Sequence, residues 1–243
     1  VLRRALARAR FPFLAANART PAGTRAWPGF VIVKRAGLRV GIVGVTNPGS
    51  MVWDRDHLTG HVTISDIVPE VRIAVDSLRA VAVDAIVVIA HAGLSGESSY
   101  DTVSTPLGSE SPMARVAREV PGIDAIVYGH THREVADTTI NGVLLTQPRN
   151  WAASVSVAHL RFDTTGGRPR VASKSATIVR ASGHAEQPAV VAATERGHRA
   201  ARRYALQVAG RTESLWRADS ARVAATPRRG PRRPGAAAAC RGS

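Results

Sequence analysis

Val120–His132 reads V-P-G-I-D-A-I-V-Y-G-H-T-H. A short apolar run, Ile123–Tyr128, is framed by Pro121-Gly122 before it and Gly129 after it. Such a run, bounded by turn residues, predicts a buried strand. The strand delivers two histidines in alternation, His130 and His132. A second run repeats the design upstream: Val83–Ala90 (V-D-A-I-V-V-I-A) ends in His91-Ala92-Gly93. It is near-continuously apolar, which predicts a strand covered on both faces.

Working outward, Phe11–Ala16 is a short apolar run. Phe30–Lys34 and Leu38–Val45 read as two strands joined by a turn at Ala36-Gly37. Ser65 or Asp66 can cap a helix running to about Val81, with Ile67, Val71, Val75 and Leu78 on one face. Ser111–Glu119 predicts a second helix, stopped by Pro121-Gly122. Val143–Gln147, Ser154–Asp163 and Arg170–Val179 read as strands, the last two joined by Thr164–Gly167. Glu186–Val208 reads as a long helix with an Arg-rich outer face. Strand–helix–strand units followed by a run of strands predict an α/β layered sandwich.

In α/β sheets, functional groups collect beyond the carboxyl ends of the strands. A lone histidine there is ordinarily a hydrogen-bonded loop residue. Gly-His-x-His after one buried strand, with another strand-terminal histidine upstream, favours metal binding, because neutral imidazole nitrogen is a good donor near pH 7. The candidate ligands are therefore His91, His130 and His132. His57, His61, His159, His184 and His198 have no such partners and read as solvated.

Composition bounds the alternatives. The 243 residues carry a formal charge of +15, with 33 Lys and Arg against 18 Asp and Glu. No apolar run reaches the roughly 20 residues of a membrane-spanning helix, so no membrane partner is expected. The single cysteine, Cys240, excludes a disulfide framework and a Cys-rich zinc module. Basic charge gathers in Arg217–Ser243. Nucleic-acid binding is one reading of such a tail, but no aromatic follows Trp216 and no helical period is visible, so nucleic acid is not the expected partner. Ala224–Ser243 is Pro, Arg, Gly and Ala with almost no large apolar side chain, and is expected to be disordered. No signal-peptide h-region is present.

Several stretches, in order, resemble the calcineurin-like metallophosphoesterases, and within them the 5′-nucleotidase and 2′,3′-cyclic-nucleotide phosphodiesterase group. They are Phe13–Asn17, Met51–Asp54 with Leu58–Asp66, His91–Gly93, Val120–His132, and Ile140–Val143 with Trp151. The resemblance implies a partial metallophosphoesterase-type αββα sandwich. It also implies a nucleotide substrate, a periplasmic or secreted location, and two divalent ions (Zn, Mn or similar) in the intact site. By the same resemblance His91 and His130 bind one ion and His132 the other.

The family's earlier ligand motifs, Asp-x-His, Gly-Asp and Gly-Asn-His-Glu, do not occur in these 243 residues. Asn17 matches a later segment, not the ligand asparagine. The catalytic residues of the family are thus expected before Val1, and at most one ion, weakly bound, is expected here. Residues 1–180 read as the C-terminal part of the metallophosphoesterase domain, 181–223 as a linker helix leading toward a nucleotide-binding domain, and 224–243 as the tail. The likeness stops abruptly after Val223, as a changed reading frame near Ala224 would explain. The expected function is metal-dependent phosphoester hydrolysis on nucleotides, with this chain an inactive fragment. The alternatives are a non-catalytic remnant and a basic nucleic-acid-binding protein.

Overall fold

The computed structural model describes residues 2–207. The chain divides into two compact units between His184 and Ala185. The expected disordered tail, 224–243, lies outside the described residues.

The first unit opens with a short helix, α1 (Leu2–Leu6), and a two-residue strand, β1 (Ala18–Arg19). Then come β2 (Phe30–Arg35) and β3 (Leu38–Val45), paired antiparallel. The turn between them is tight, with both Ala36 and Gly37 at positive φ. Two single-turn helices follow, α2 (Ser50–Trp53) and α3 (Arg55–Leu58), then β4 (Thr63–Ile64), which pairs with β1. The main helix, α4 (Ile67–Ala80), is capped by Asp66, whose carboxylate accepts from the Val68 amide at 3.4 Å. Next are β5 (Ala85–Ala90), α5 (Met113–Glu119), β6 (Ala125–Val127), β7 (Val135–Ile140), β8 (Val143–Gln147), β9 (Ser154–Asp163) and β10 (Arg170–Arg180).

Six strands form the central sheet in the order β2-β3-β5-β6-β8-β7. The four middle strands run parallel, and each edge strand is antiparallel to its neighbour. The carboxyl ends of β3, β5, β6 and β8 therefore share one edge, where loops can gather side chains.

One face of the sheet is packed by α4 and α5. Ile67, Val71, Val75 and Leu78 are fully buried against it, as the helical period requires. Gly41 on β3 makes room for Leu78; a Cβ there would lie 2.7 Å from a Leu78 methyl. Glu70 of α4 is a buried carboxylate compensated by Arg19 of β1 at 2.7 Å and by Arg25 at 3.5 Å.

The opposite face is covered in part by the β9–β10 hairpin. Ala125, Leu144 and Ala176 are buried there, with Val87 and Leu160 packed around them. The cover ends before the carboxyl end of β5, where Ile89 remains 43% exposed. The expectation of a strand covered on both faces thus holds for the first half of β5 only.

The apolar run Phe11–Ala16 lies outside the strands; Phe11 and Phe13 stack on each other with centroids 5.4 Å apart and stay exposed. Two elements differ from expectation. The strand β7 was not expected. Its neighbour turn, Asn141-Gly142, has both residues at positive φ, the geometry that makes Asn-Gly a strong hairpin signal. The long helix of the second unit, α6, is shorter than expected, spanning Pro188–Ala205 with Gln187 as its cap. Among the described residues no helix is long and apolar enough to cross a membrane.

Candidate active site

The carboxyl edge of the sheet carries the histidines. His91 follows β5, and its amide bonds back to the Val45 carbonyl at the end of β3. Gly129 follows β6, and the chain then turns through His130 and His132, at φ 74° and 56°. Left-handed backbone is uncommon for residues other than glycine, and it concentrates at functional sites. Here it lets two residues after one strand both present imidazoles to the sheet edge.

His91, His130 and His132 line one cavity of about 320 Å³, together with Tyr128, Gln147, Arg149, Asn150 and Trp151. The His91 and His130 rings meet edge-on, with centroids 5.4 Å apart. Desolvation, then the charges of His130 and His132, push the His91 pKa below the usual histidine value, although the residue keeps solvent contact. Its nitrogen lone pair is therefore available at neutral pH.

His130 is the most tightly surrounded of the three. Trp53 stacks on it at 5.5 Å and 20°. The Glu110 carboxylate lies 3.7 Å from its Nε2. Glu110 is buried and anchored: it accepts from the Ser99 amide and the Ser99 hydroxyl, both at 3.0 Å. Trp53 donates its indole N–H to the same serine at 3.3 Å and meets Tyr100 edge-on. Tyr100 donates to the Gly108 carbonyl, and burial beside Glu110 raises its pKa to about 12.

His132 is exposed, and Trp151 stands edge-on to it at 6.0 Å. Behind the loop, Thr131 donates to the Gln147 side chain, whose amide donates to the Arg133 carbonyl. The Tyr128 hydroxyl is buried with no hydrogen-bond partner among the described residues, and burial raises its pKa.

The donor chemistry suits a divalent ion, but the geometry is open. Among the described residues, no three of His, Cys, Asp and Glu stand close enough together to hold a metal ion. The three imidazoles share a cavity without closing on a common point. His57, His61, His159 and His184 are exposed and do not line this cavity, and His198, in the second unit, is exposed as well.

Glu110 and Trp53 are the site residues that sequence reasoning missed. Glu110 sits in an S-E-S-P stretch between strand and helix, with no periodicity to mark it as buried. Trp53 lies in Met51–Asp54, noticed as a resemblance but with no role attached.

No family model matches the chain. It is 26% identical over 228 residues to the trifunctional nucleotide phosphoesterase protein YfkN of Bacillus subtilis, covering 84% of this chain and 15% of that protein. It is 31% identical over 152 residues to the 2′,3′-cyclic-nucleotide 2′-phosphodiesterase/3′-nucleotidase of Salmonella typhimurium, covering 57% of this chain and 22% of that protein. The chain thus spans less than a third of the length of either relative. Among solved structures, the calcineurin-like phosphoesterase YfkN of Bacillus subtilis superposes with a TM-score of 0.69 at 25% identity, over 81% of this chain and 64% of that one. A 5′-nucleotidase precursor from Thermus thermophilus superposes with a TM-score of 0.61 at 23% identity, over 84% and 40% of the two chains, which shows the shared fold.

Proposed function

We propose that this chain, a calcineurin-like phosphoesterase of the 5′-nucleotidase and 2′,3′-cyclic-nucleotide phosphodiesterase family, serves in hydrolysing the phosphoesters of nucleotides outside the cytoplasm. The observation that carries the reading is the cavity at the carboxyl edge of the sheet, which three strand-end imidazoles line and where His91 and His130 meet edge-on.

In this reading His91, His130 and His132 are metal ligands. Divalent ions, when bound, neutralise charge on the phosphoryl oxygens and activate the attacking water. The chain's own residues do the holding. Trp53 and Glu110 fix the His130 ring from its face and its Nε2 side, and His91 stays neutral. Arg149 supplies a cation at the cavity wall, suited to a phosphate oxygen.

The imidazoles alone do not make a paired-metal site. A bridging carboxylate is needed to keep two ions at working separation. Glu110, the acid nearest His130, is already bound to Ser99. The 243-residue chain by itself should therefore hydrolyse nucleotides at or near background.

The test measures phosphate released from a 5′-nucleotide, and nucleoside monophosphate released from a 2′,3′-cyclic nucleotide, with Mn²⁺ or Zn²⁺ supplied. The chain alone should be silent. Joined to a segment carrying the Asp-x-His, Gly-Asp and Gly-Asn-His-Glu motifs, it should turn over, and His130→Ala should abolish that turnover. A joined protein inert on every nucleotide would overturn the substrate reading. Metal-dependent turnover by the short chain, lost in His130→Ala, would overturn its inactivity.

A further inference from the structure

The second unit, Ala185–Ser243, holds twelve Arg and no Lys against four acids. A quarter of the chain thus carries +8 of the formal +15. Its helix α6 sorts that charge. Arg196, Arg199 and Arg203 recur at intervals of three and four residues, which places them on one helix face, with Arg202 beside them. Val190, Ala193, Gly197, Ala201 and Tyr204 recur in the same way on the opposite face. Both sets are exposed.

Like charges at that spacing repel and destabilise a helix. Glu195 offsets one of them, reaching Arg199 at 3.4 Å, and among the described residues the other three have no carboxylate partner. A ligand with anionic charges in series would relieve the repulsion along the whole row. From Arg196 to Arg203 the row runs about 10 Å along the helix axis, whereas a nucleic-acid strand carries a phosphate every ~3.4 Å of duplex axis. Two features separate this partner from an anionic lipid surface. The apolar face has only Val190 and Tyr204 as large side chains, and an interfacial helix is held by the apolar area that it buries. The cations are guanidinium groups throughout, whose planar fork takes two phosphate oxygens at once.

We propose that the Arg196, Arg199 and Arg203 row of α6 binds the phosphate backbone of a nucleic-acid strand, without reading its sequence. The basic tail on its own gave no reason to expect such a partner, because it shows no helical period; α6 supplies one. Binding here needs nothing from the histidine cavity, so it stands or falls apart from the nucleotide reading, and the missing metal motifs do not bear on it.

The experiment is fluorescence anisotropy of a labelled single-stranded RNA of mixed sequence, titrated with the full chain at several salt concentrations. Wild-type affinity should fall at least about tenfold between roughly 50 and 200 mM NaCl, as three released counterions require. Arg196→Gln, Arg199→Gln and Arg203→Gln combined should lower the slope of log affinity against log salt by about 2. The same three positions changed to Lys should keep most of the slope, and circular dichroism checks the folding of each variant. Arg72→Gln, Arg118→Gln and Arg161→Gln combined remove the same charge from exposed positions of the first unit. That control should change affinity by less than about threefold, since distant charges are screened. No binding at low salt, or equal losses in the helix and control variants, would overturn the proposal. So would an unchanged helix variant beside a loss in Arg228→Gln, Arg229→Gln, Arg232→Gln and Arg233→Gln combined, which would move the site to the tail. Tighter binding to phosphatidylglycerol vesicles than to RNA, at equal phosphate, would overturn it in favour of a lipid surface.

Discussion

His130 and His132 stand two residues apart, both on left-handed backbone, and they are held in opposite ways. Around His130 the neighbours are close and interlocked: Trp53 on its face, His91 at its edge, Glu110 at its Nε2, and Ser99 and Tyr100 behind them. Around His132 there is solvent and one exposed indole. A His-x-His motif read along the chain suggests two equal donors. In space one is placed in advance, and the other is free to adjust to what arrives.

The largest expected effect comes from crowding the held side. Gly93 is buried where the loop after β5 meets the His130 loop. A Cβ there would collide with Ser111 and lie 2.7 Å from the Thr131 methyl. Gly93→Val should lower stability by about 1–3 kcal/mol, the usual cost of overpacking. Gly129 has open space by comparison, with His91 Nδ1 the nearest atom at 4.0 Å. Gly129→Ala should change stability by less than about 1 kcal/mol. Thermal or urea unfolding gives both values, and equal losses would show that the pocket around Gly93 is no tighter than the turn at Gly129.

Next comes the anchor. Glu110→Ala leaves the Ser99 amide and hydroxyl without their acceptor in a part-buried setting. The cost should be about 1–3 kcal/mol. A change within about 0.5 kcal/mol would mean that Glu110 does not hold this side together.

Tyr100 reports on the same anchor. Its pKa is raised to about 12 from an ordinary 10, first by burial and then by the Glu110 charge. A group raised in the folded state stabilises fully below its unfolded pKa and loses that contribution as pH rises through the folded value. The window here runs from pH 10 to about 12. Ultraviolet titration should show one tyrosine ionising near the top of that window, and Glu110→Gln should move it down. A phenol ionising near 10 in the folded wild type would sink the account.

Much of the sheet was legible because burial leaves a local trace. The bounds of β3, β8 and β9 follow from apolar runs between turn residues, and α4 follows from its cap and its 3.6-residue period. The strand β7 was missed because V-A-D-T-T-I is polar and lies at an edge. Its Asn141-Gly142 turn was the signal that could have found it. The three histidines were legible as strand-end residues, but how each is held was not. Trp53 and Glu110 reach His130 from loops distant in sequence, and no spacing records that contact. The partial cover over β5 was illegible for a related reason: whether Ile89 is buried depends on how far the β9–β10 hairpin extends.

The smallest effect belongs to the free side. Trp151 buries almost nothing, so its removal forfeits little packing. Its left-handed backbone costs free energy that glycine would not pay. Against that, glycine loses more conformational freedom on folding, by roughly 0.5–1 kcal/mol. The two terms nearly cancel, and Trp151→Gly should shift stability by no more than about 1 kcal/mol, in the favourable direction if strain relief is the larger. A loss well beyond 1 kcal/mol in urea unfolding would show that Trp151 packs in solution as Trp53 does. The comparison would then fail, because both histidines would be held and no free aromatic surface would remain beside His132.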